Sequence, residues 1–329
     1  MNILIFGCAG FIGINLTKYF LKKKHNVIGV DNLTYASNIK EIYKLKKNNN
    51  FKFYKLNINS KDILKVIQMN KPTWIINMAA ESHVDNSIVK PTKFIKTNIN
   101  GVLNILLNCL IYYKKISNFK KRKFRFLQVS TDEVYGNIVR GNVDEKTKYN
   151  PSSPYSASKA AADHLVNSWN LTYNLPTLIT YCSNNFGPFQ HKEKFIPKII
   201  FCLKNSKKIP IYGKGKNKRE WIFVEDHIQA IEKVLKKGQI GSSYNIGSTV
   251  NLSNIQLLNI IFKKIKKLKL INNNTKIDKF VKFTTDRPGH DFRYSLNSNK
   301  IRKELKWVET NTFDKSLIKT IKWYYSEKI

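Results

Sequence analysis

Three sets of residues carry chemistry by type and spacing. Tyr155 and Lys159, in Tyr155-Ser-Ala-Ser-Lys159, stand four residues apart, which puts a phenol and an ammonium on one face of a helix. A cation beside a phenol favours the phenolate, so the expectation is a Tyr155 pKa lowered by Lys159 and a base that works near neutral pH. Spacing alone decides little here, because the same pattern recurs at Tyr19/Lys23, Tyr43/Lys47, Tyr212/Lys216 and Tyr324/Lys328. Pro154 in front and the small residues Ala157–Ala162 behind set Tyr155 apart. Asp132 and Glu133 follow Ser130 and Thr131 directly. Adjacent carboxyls in a dry cleft resist ionising together, so one keeps its proton as an acid while the other serves as a base. That pair suits the elimination of water. Finally, Gly7, Gly10 and Gly13 form G-x-x-G-x-x-G after an apolar run. Such glycines allow a tight turn and close approach of backbone to a pyrophosphate at a helix amino terminus. Asp31 follows 18 residues past Gly13, where an acid accepts from ribose hydroxyls and repels a 2′-phosphate. The cofactor expected is NAD rather than NADP.

These residues need a scaffold, and the hydrophobic pattern supplies one. Ile3–Phe6, Val27–Val30, Phe51–Leu56, Trp74–Met78, Phe124–Val129 and Thr177–Tyr181 read as strands. Ile12–Lys24, Asp62–Met69, Phe94–Lys114 and Ala157–Tyr173 between them have helical spacing. Alternation of this kind implies β-α-β units and a doubly wound parallel sheet in an α/β domain. The texture changes after Ser183, where Gly and Pro become frequent and strand-like runs shorten. We expect a nucleotide-binding domain over 1–183 and a smaller α+β substrate domain over 184–329, with the chain able to cross between them. Helices are expected there at Asp226–Leu235, Ile255–Leu268 and Phe313–Tyr325.

Composition narrows the setting. The 329 residues carry 58 Lys+Arg against 22 Asp+Glu, a formal net charge of +36, which first suggests nucleic acid or an anionic membrane. Only 7 of those cations are Arg, the residue whose fork reads phosphate best, and codon bias toward Lys, Asn and Ile accounts for the excess. No nucleic acid or membrane partner is expected. The opening MNILIFGCAGFIG lacks the basic start of a signal peptide, and no apolar run is expected to span a bilayer. Cys8, Cys109, Cys182 and Cys202 are widely spaced, as in reduced cytoplasmic proteins. The six histidines have no metal-ligand spacing, so no metal is expected.

Taken together these motifs resemble the extended short-chain dehydrogenase/reductases, and within them the NAD-dependent sugar-nucleotide epimerase/dehydratase group. The resemblance rests on Gly7–Gly13, Asp31 in VDNLTYA, MAAESHVD at Met78–Asp85, STDEVYG at Ser130–Gly136 and PYSASK at Pro154–Lys159. It continues through CSNNFGP at Cys182–Pro188, PIYGKG at Pro210–Gly215, REW at Arg219–Trp221 and DRPGHD at Asp286–Asp291. The resemblance implies a Rossmann-type fold, a homodimer paired through Phe94–Lys114 and Ala157–Tyr173, and dehydration of dTDP-glucose to a 4-keto-6-deoxy sugar nucleotide. By it, Tyr155 takes the C4 hydroxyl proton, Glu133 the C5 proton, and Asp132 protonates the leaving C6 hydroxyl. Thr131 polarises the C4 oxygen, and Lys159 holds the nicotinamide ribose. Gly7, Gly10, Phe11, Ile12, Gly13, Asp31, Asn32, Leu33, Thr34, Asn57, Ile58, Met78, Ala79, Ala80, Glu81, Ser82, Thr97, Tyr155, Lys159 and Asn185 match cofactor positions. Ser82, Thr131, Asn184, Lys194, Phe195, Pro210, Ile211, Tyr212, Arg219, Asn254, Asp286, Arg287, Pro288, Gly289 and His290 match substrate positions.

Some residues depart from the pattern. Phe6 and Cys8 replace Thr and Gly at the glycine loop, where Cys8 is expected to tighten the turn. Asn57 replaces an Asp that meets the adenine amine, and Phe186 replaces a Tyr. Two sister activities, UDP-sugar dehydration and epimerisation, stay open, although related epimerases lack the Asp132–Glu133 pair. A non-catalytic NAD-binding regulator is the remaining alternative, with little reason to keep Tyr155, Lys159, Asp132 and Glu133 together.

Overall fold

The computed structural model describes residues 1–327. Its strands are β1 (Asn2–Phe6), β2 (Asn26–Asp31), β3 (Phe51–Lys55), β4 (Trp74–Asn77), β5 (Arg125–Thr131), β6 (Thr177–Cys182), β7 (Asn184–Phe186), β8 (Ile209–Tyr212), β9 (Lys218–Phe223), β10 (Ser243–Ile246), β11 (Asn251–Ser253) and β12 (Val281–Thr284). Seven of them form one sheet in the order β10-β6-β5-β4-β1-β2-β3, and every pairing in it is parallel. The apolar run at β1 explains its central place. Ile3, Leu4, Ile5 and Phe6 are all fully buried. Ile3 and Ile5 enter one core while Leu4 and Phe6 enter the other, as the period of two requires of a sheet covered on both faces. The order reverses beside β1, and the crevice at the carboxyl ends of β1 and β4 is where such sheets bind ligands.

The second half does not part cleanly from the first, because β10 returns to the large sheet beside β6. The remaining strands make two small sheets, β11-β9-β7 and β12-β8. The expected helices appear at Val224–Lys237, Asn254–Lys267 and Phe313–Ser326, joined by one at Phe195–Lys204 that the pattern did not single out.

Two helices set the site. Pro154–Tyr173 starts with a capping box between Ser153 and Ser156 and with proline in its first turn, which fixes where Tyr155 leaves the strand-end loops. The other runs over Pro91–Lys115, and by length and composition it is apolar enough to cross a membrane, contrary to the expectation that no segment would be. It passes because Lys96 is the sole charge between Phe94 and Tyr113, the other breaks among its Ile and Leu residues being Asn, Thr and Gly. In the fold one face is buried, with Val102, Ile105, Leu106 and Cys109 in the core beneath the sheet.

Candidate active site

The glycine turn is demanded by close packing. Gly7 has φ of +80°, and a Cβ there would lie 2.7 Å from the Ala79 backbone nitrogen. A Cβ on Gly13 would stand 2.0 Å from the Gly7 carbonyl oxygen. Gly10 is the N-cap of the helix Phe11–Lys22, so free N–H groups face the crevice. Cys8 is fully buried and fits because residue 29 is glycine, whose Cβ would meet the Cys8 sulfur at 2.6 Å. The sulfur fills space behind the turn.

Asp31 ends β2 with both carboxylate oxygens engaged: Oδ2 accepts from the Ala9 N–H at 3.0 Å, and Oδ1 accepts from the Leu33 N–H at 2.8 Å and the Ser37 hydroxyl at 3.3 Å. Burial raises its pKa, and these three donors pull it back. Leu33 therefore serves Asp31 through its backbone, with φ of +57°, and its side chain packs against the core rather than lining the cleft. The Asn57 side-chain carbonyl accepts from the Asn59 N–H at 2.9 Å, a bond that takes up one of its two lone pairs.

The loop Met78–Ser82 is held by a residue that local pattern reading misses. A π-helical turn at Ile95–Asn100 interrupts the long helix and buries Asn98. Asn98 accepts from the Glu81 N–H at 2.9 Å and donates to the Glu81 carbonyl at 3.1 Å and to the Ser158 hydroxyl at 2.9 Å. Single π turns of this kind concentrate at functional sites. On the other wall, buried His227 sits 2.9 Å from the Asn185 side-chain oxygen and orients it. Burial lowers the His227 pKa to about 3, so the ring is neutral.

The catalytic residues meet at the end of β5. The Thr131 hydroxyl donates to Asp132 Oδ1 at 3.1 Å and accepts from the Glu133 N–H at 3.3 Å. Asp132 is buried, and its Oδ2 has no hydrogen-bond partner. Burial drives the Asp132 pKa well above the usual carboxylate range; Glu133 and Glu220 push it further, against Arg219. Burial also raises Glu133, but Arg287, Arg219 and Lys194 draw it back, against Asp291. Two adjacent carboxyls thus have different electrostatic surroundings, one suited to hold a proton and the other to accept one.

Tyr155 does not follow the expectation. Burial holds its phenol well above the ordinary value, Glu133 and Cys182 add to this, and only the Thr131 hydroxyl favours the phenolate. Lys159 is buried, donates from Nζ to the Val129 carbonyl at 2.8 Å, and is itself drawn down by burial. In the chain alone, desolvation outweighs the helical pairing on which the expectation rested.

A cleft of about 340 Å³ runs along these elements, within the range of ligand sites. Every cofactor position expected from the sequence lines it except Leu33, and so do Ser82, Thr131, Asn184 and Lys194 of the substrate set. The glycine turn, the helix amino terminus and Asp31 fit a dinucleotide, and Lys159 has ammonium protons left for a ribose. Glu193, His191, Gln190 and Ser37 also line the cleft without having been foreseen.

The other substrate positions stand outside that lining. Arg219 is buried; its guanidinium donates to the Lys218 carbonyl at 2.8 Å and the Asp291 carbonyl at 3.0 Å and stacks on the Tyr294 ring, 4.4 Å from its centre. Arg287 lies 3.5 Å from Asp85, whose other oxygen accepts from the Tyr212 hydroxyl at 2.8 Å. His290 bonds Asp286 at 2.5 Å and sits edge-on to the Tyr212 ring. Lys194 donates to the Ser82 carbonyl at 2.8 Å. Ile211 is buried in the core, and Pro210 and Phe195 are part-buried, Phe195 at the start of its helix. Asn254 opens the helix Asn254–Lys267, and Pro288 and Gly289 are exposed.

Comparison with known proteins gives the family. The family model described as GDP-mannose 4,6 dehydratase matches residues 4–320. The chain is 40% identical to a dTDP-glucose 4,6-dehydratase of Escherichia coli, covering 100% of this chain and 94% of that protein. It is 42% identical to one of Haemophilus influenzae, covering 98% of each. Among solved structures, dTDP-glucose 4,6-dehydratase from Streptomyces venezuelae with NAD bound superposes with a TM-score of 0.90 at 34% identity, over 100% of this chain and 98% of that one. The chain therefore belongs to the 4,6-dehydratase family of sugar-nucleotide enzymes.

Proposed function

We propose that this protein dehydrates dTDP-glucose to dTDP-4-dehydro-6-deoxyglucose with tightly held NAD. The observation that carries the reading is the divergent setting of Asp132 and Glu133 beside Tyr155, an acid and a base prepared side by side. Gly7–Gly13, Asp31, the Met78–Ser82 loop and Lys159 hold the dinucleotide. Bound there, NAD would supply the hydride acceptor for the sugar C4 and the hydride for C6. Tyr155 takes the proton of the C4 hydroxyl, with Thr131 donating to the same oxygen. The C4 ketone acidifies the C5 hydrogen, which Glu133 removes, while Asp132 protonates the departing C6 hydroxyl as water. Glu133 then gives its proton back to C5. One turnover leaves Tyr155 with a proton more and Asp132 with a proton fewer, and Thr131, bonded to Asp132, lies between them. Arg219, Arg287 and Lys194 face the diphosphate, for which guanidinium forks are suited.

The protein acts as a homodimer in this reading. Ile95, Ile99, Leu103, Leu107 and Ile111 recur every fourth residue on the uncovered face of the helix Pro91–Lys115, and three of them are exposed. On the helix Pro154–Tyr173, Ala157 is exposed and Ala161 and Leu165 are part-exposed, a small-residue face suited to packing against a second copy. The four cysteines are free and buried, as suits the cytoplasm, and neither a membrane nor nucleic acid enters the chemistry. Incubation of the purified protein with dTDP-glucose and with UDP-glucose, read by mass spectrometry and proton NMR, tests the activity. A 4-keto-6-deoxy product from dTDP-glucose supports the reading. Preferential turnover of UDP-glucose would replace the nucleotide, and no such product from either would refute the dehydratase.

A further inference from the structure

The pair Tyr155–Lys159 has a third helical partner that the chemistry above does not use. Asp163 follows Lys159 by one turn of the same helix, is fully buried, and does not line the cleft. Its Oδ2 accepts from the Ser130 hydroxyl at 2.5 Å, and its Oδ1 has no partner. Lys159 Nζ donates to the carbonyl of Val129, the residue before Ser130. Consecutive residues of β5 therefore grip a buried ammonium and a buried carboxylate from the same helix. A buried carboxylate with a bare oxygen is costly unless a charge nearby answers it.

We propose that Asp163 is a positioning residue for Lys159, a counter-charge behind the cleft that keeps the Lys159 ammonium protonated where it supports Tyr155. Burial raises the thiol and phenols packed around the pair, and Glu145 and Asp144 act on those phenols from the loop before the helix. From β6, Cys182 is pushed up to about 12 by burial, and Tyr181 is raised for the same cause. Tyr135, in the turn after β5, and Tyr149, in the loop before the helix, are raised as well, each by burial first and by Asp163 in addition. Burial draws Lys159 down, and Asp163 is the strongest charge opposing that. Asp163 is raised by burial to about 7, so its charge is present above neutral pH, where Lys159 needs it.

The sign follows. Without the carboxylate, Lys159 loses its proton at lower pH, and the alkaline limb of activity moves down. The activity half of the test rests on the dehydratase reading; the other half does not. In the ligand-free chain, competitive labelling with acetic anhydride across pH, read on the Lys159 peptide by mass spectrometry, reports the Lys159 titration directly. Asp163→Asn should lower it by about one pH unit or more, with the alkaline limb of kcat for dTDP-glucose moving equally. Ser130→Ala should move both in the same direction by less, since it removes the donor that stabilises the Asp163 charge. If Asp163→Asn fails to fold by circular dichroism, Ser130→Ala decides. An unchanged Lys159 titration in the folded variants overturns the proposal, as does a loss of kcat that is uniform across pH. Absence of turnover by the unaltered protein would refute the dehydratase reading while the labelling still decides on Asp163.

Discussion

Asp132→Asn separates the acid from the base. The asparagine oxygen can accept the Thr131 hydroxyl bond now made at 3.1 Å, and its amide replaces an oxygen that has no partner. Asparagine also resembles the protonated acid that burial favours, so it places no new charge beside Glu133. The fold and the base should therefore survive, and what disappears is the proton for the leaving hydroxyl. A positioned general acid contributes about 10²–10⁴-fold, so turnover should fall by that factor, or ~2.7–5.4 kcal/mol of barrier. In deuterated water, Glu133 should still exchange the C5 hydrogen, so sugar nucleotide recovered from the variant should carry deuterium while water loss collapses. Glu133→Gln should lose both. The reasoning is refuted if Asp132→Asn dehydrates dTDP-glucose within about threefold of the unaltered protein, a change too small for a lost general acid. It is equally refuted if exchange falls in step with water loss.

Three other outcomes are expected. Arg287 is the strongest charge drawing the buried Glu133 down, so Arg287→Gln should raise the Glu133 pKa and move the acid limb of kcat to higher pH. The same change should raise KM about tenfold or more through the lost charged hydrogen bonds; an unmoved acid limb would contradict the assignment of Glu133 as base. Asp31→Ala should lower stability by about 1–3 kcal/mol as the Ala9 and Leu33 N–H groups lose their acceptor. Calorimetric titration with NAD and NADP should find the preference for NAD reduced, and a preference left intact would mean that Asp31 does not read the ribose. Glutamates at both Leu107 and Ile111 should convert a dimer to a monomer in sedimentation, since both stand on the uncovered stripe of the long helix; a monomeric unaltered chain would remove the dimer.

Local signals carried much of the architecture. β1 is apolar at every buried position because it is central, and the glycine spacing follows from backbone contacts that a Cβ would abolish. Both are visible in a few adjacent residues. Asp163 left only a partial mark: its four-residue spacing from Lys159 is legible in the helix, but Ser130 meets it only once helix and strand have packed. Asn98 likewise depends on a π turn that shifts the helical register and cannot be read from apolar periodicity. β8 pairs with β12 across about seventy residues, so nothing near either strand announces its partner. The Tyr155 expectation failed for a related reason. Helical spacing reports a neighbour on the same face, while the pKa was decided by burial and by Glu133 arriving from another element.

The net charge of +36 shows how little a total says about a site. Arg287, Arg219 and Lys194 are the strongest charges lowering Glu133, whereas Glu133 and Glu220 are the strongest charges raising Asp132. The short helical turn Asp132–Tyr135 begins at this pair, so adjacent side chains leave the backbone in different directions. Burial raises both, but the strongest charges acting on Glu133 are cations and the strongest acting on Asp132 are carboxylates, so burial is offset more at Glu133. Arg219 acts on both, so moving it should shift acid and base together, whereas Arg287 and Lys194 act chiefly on the base. The dozens of exposed lysines, screened by salt beyond about 10 Å, add a uniform background that cannot make this distinction. What makes an acid and a base of two consecutive carboxyls is the set of charges gathered around each.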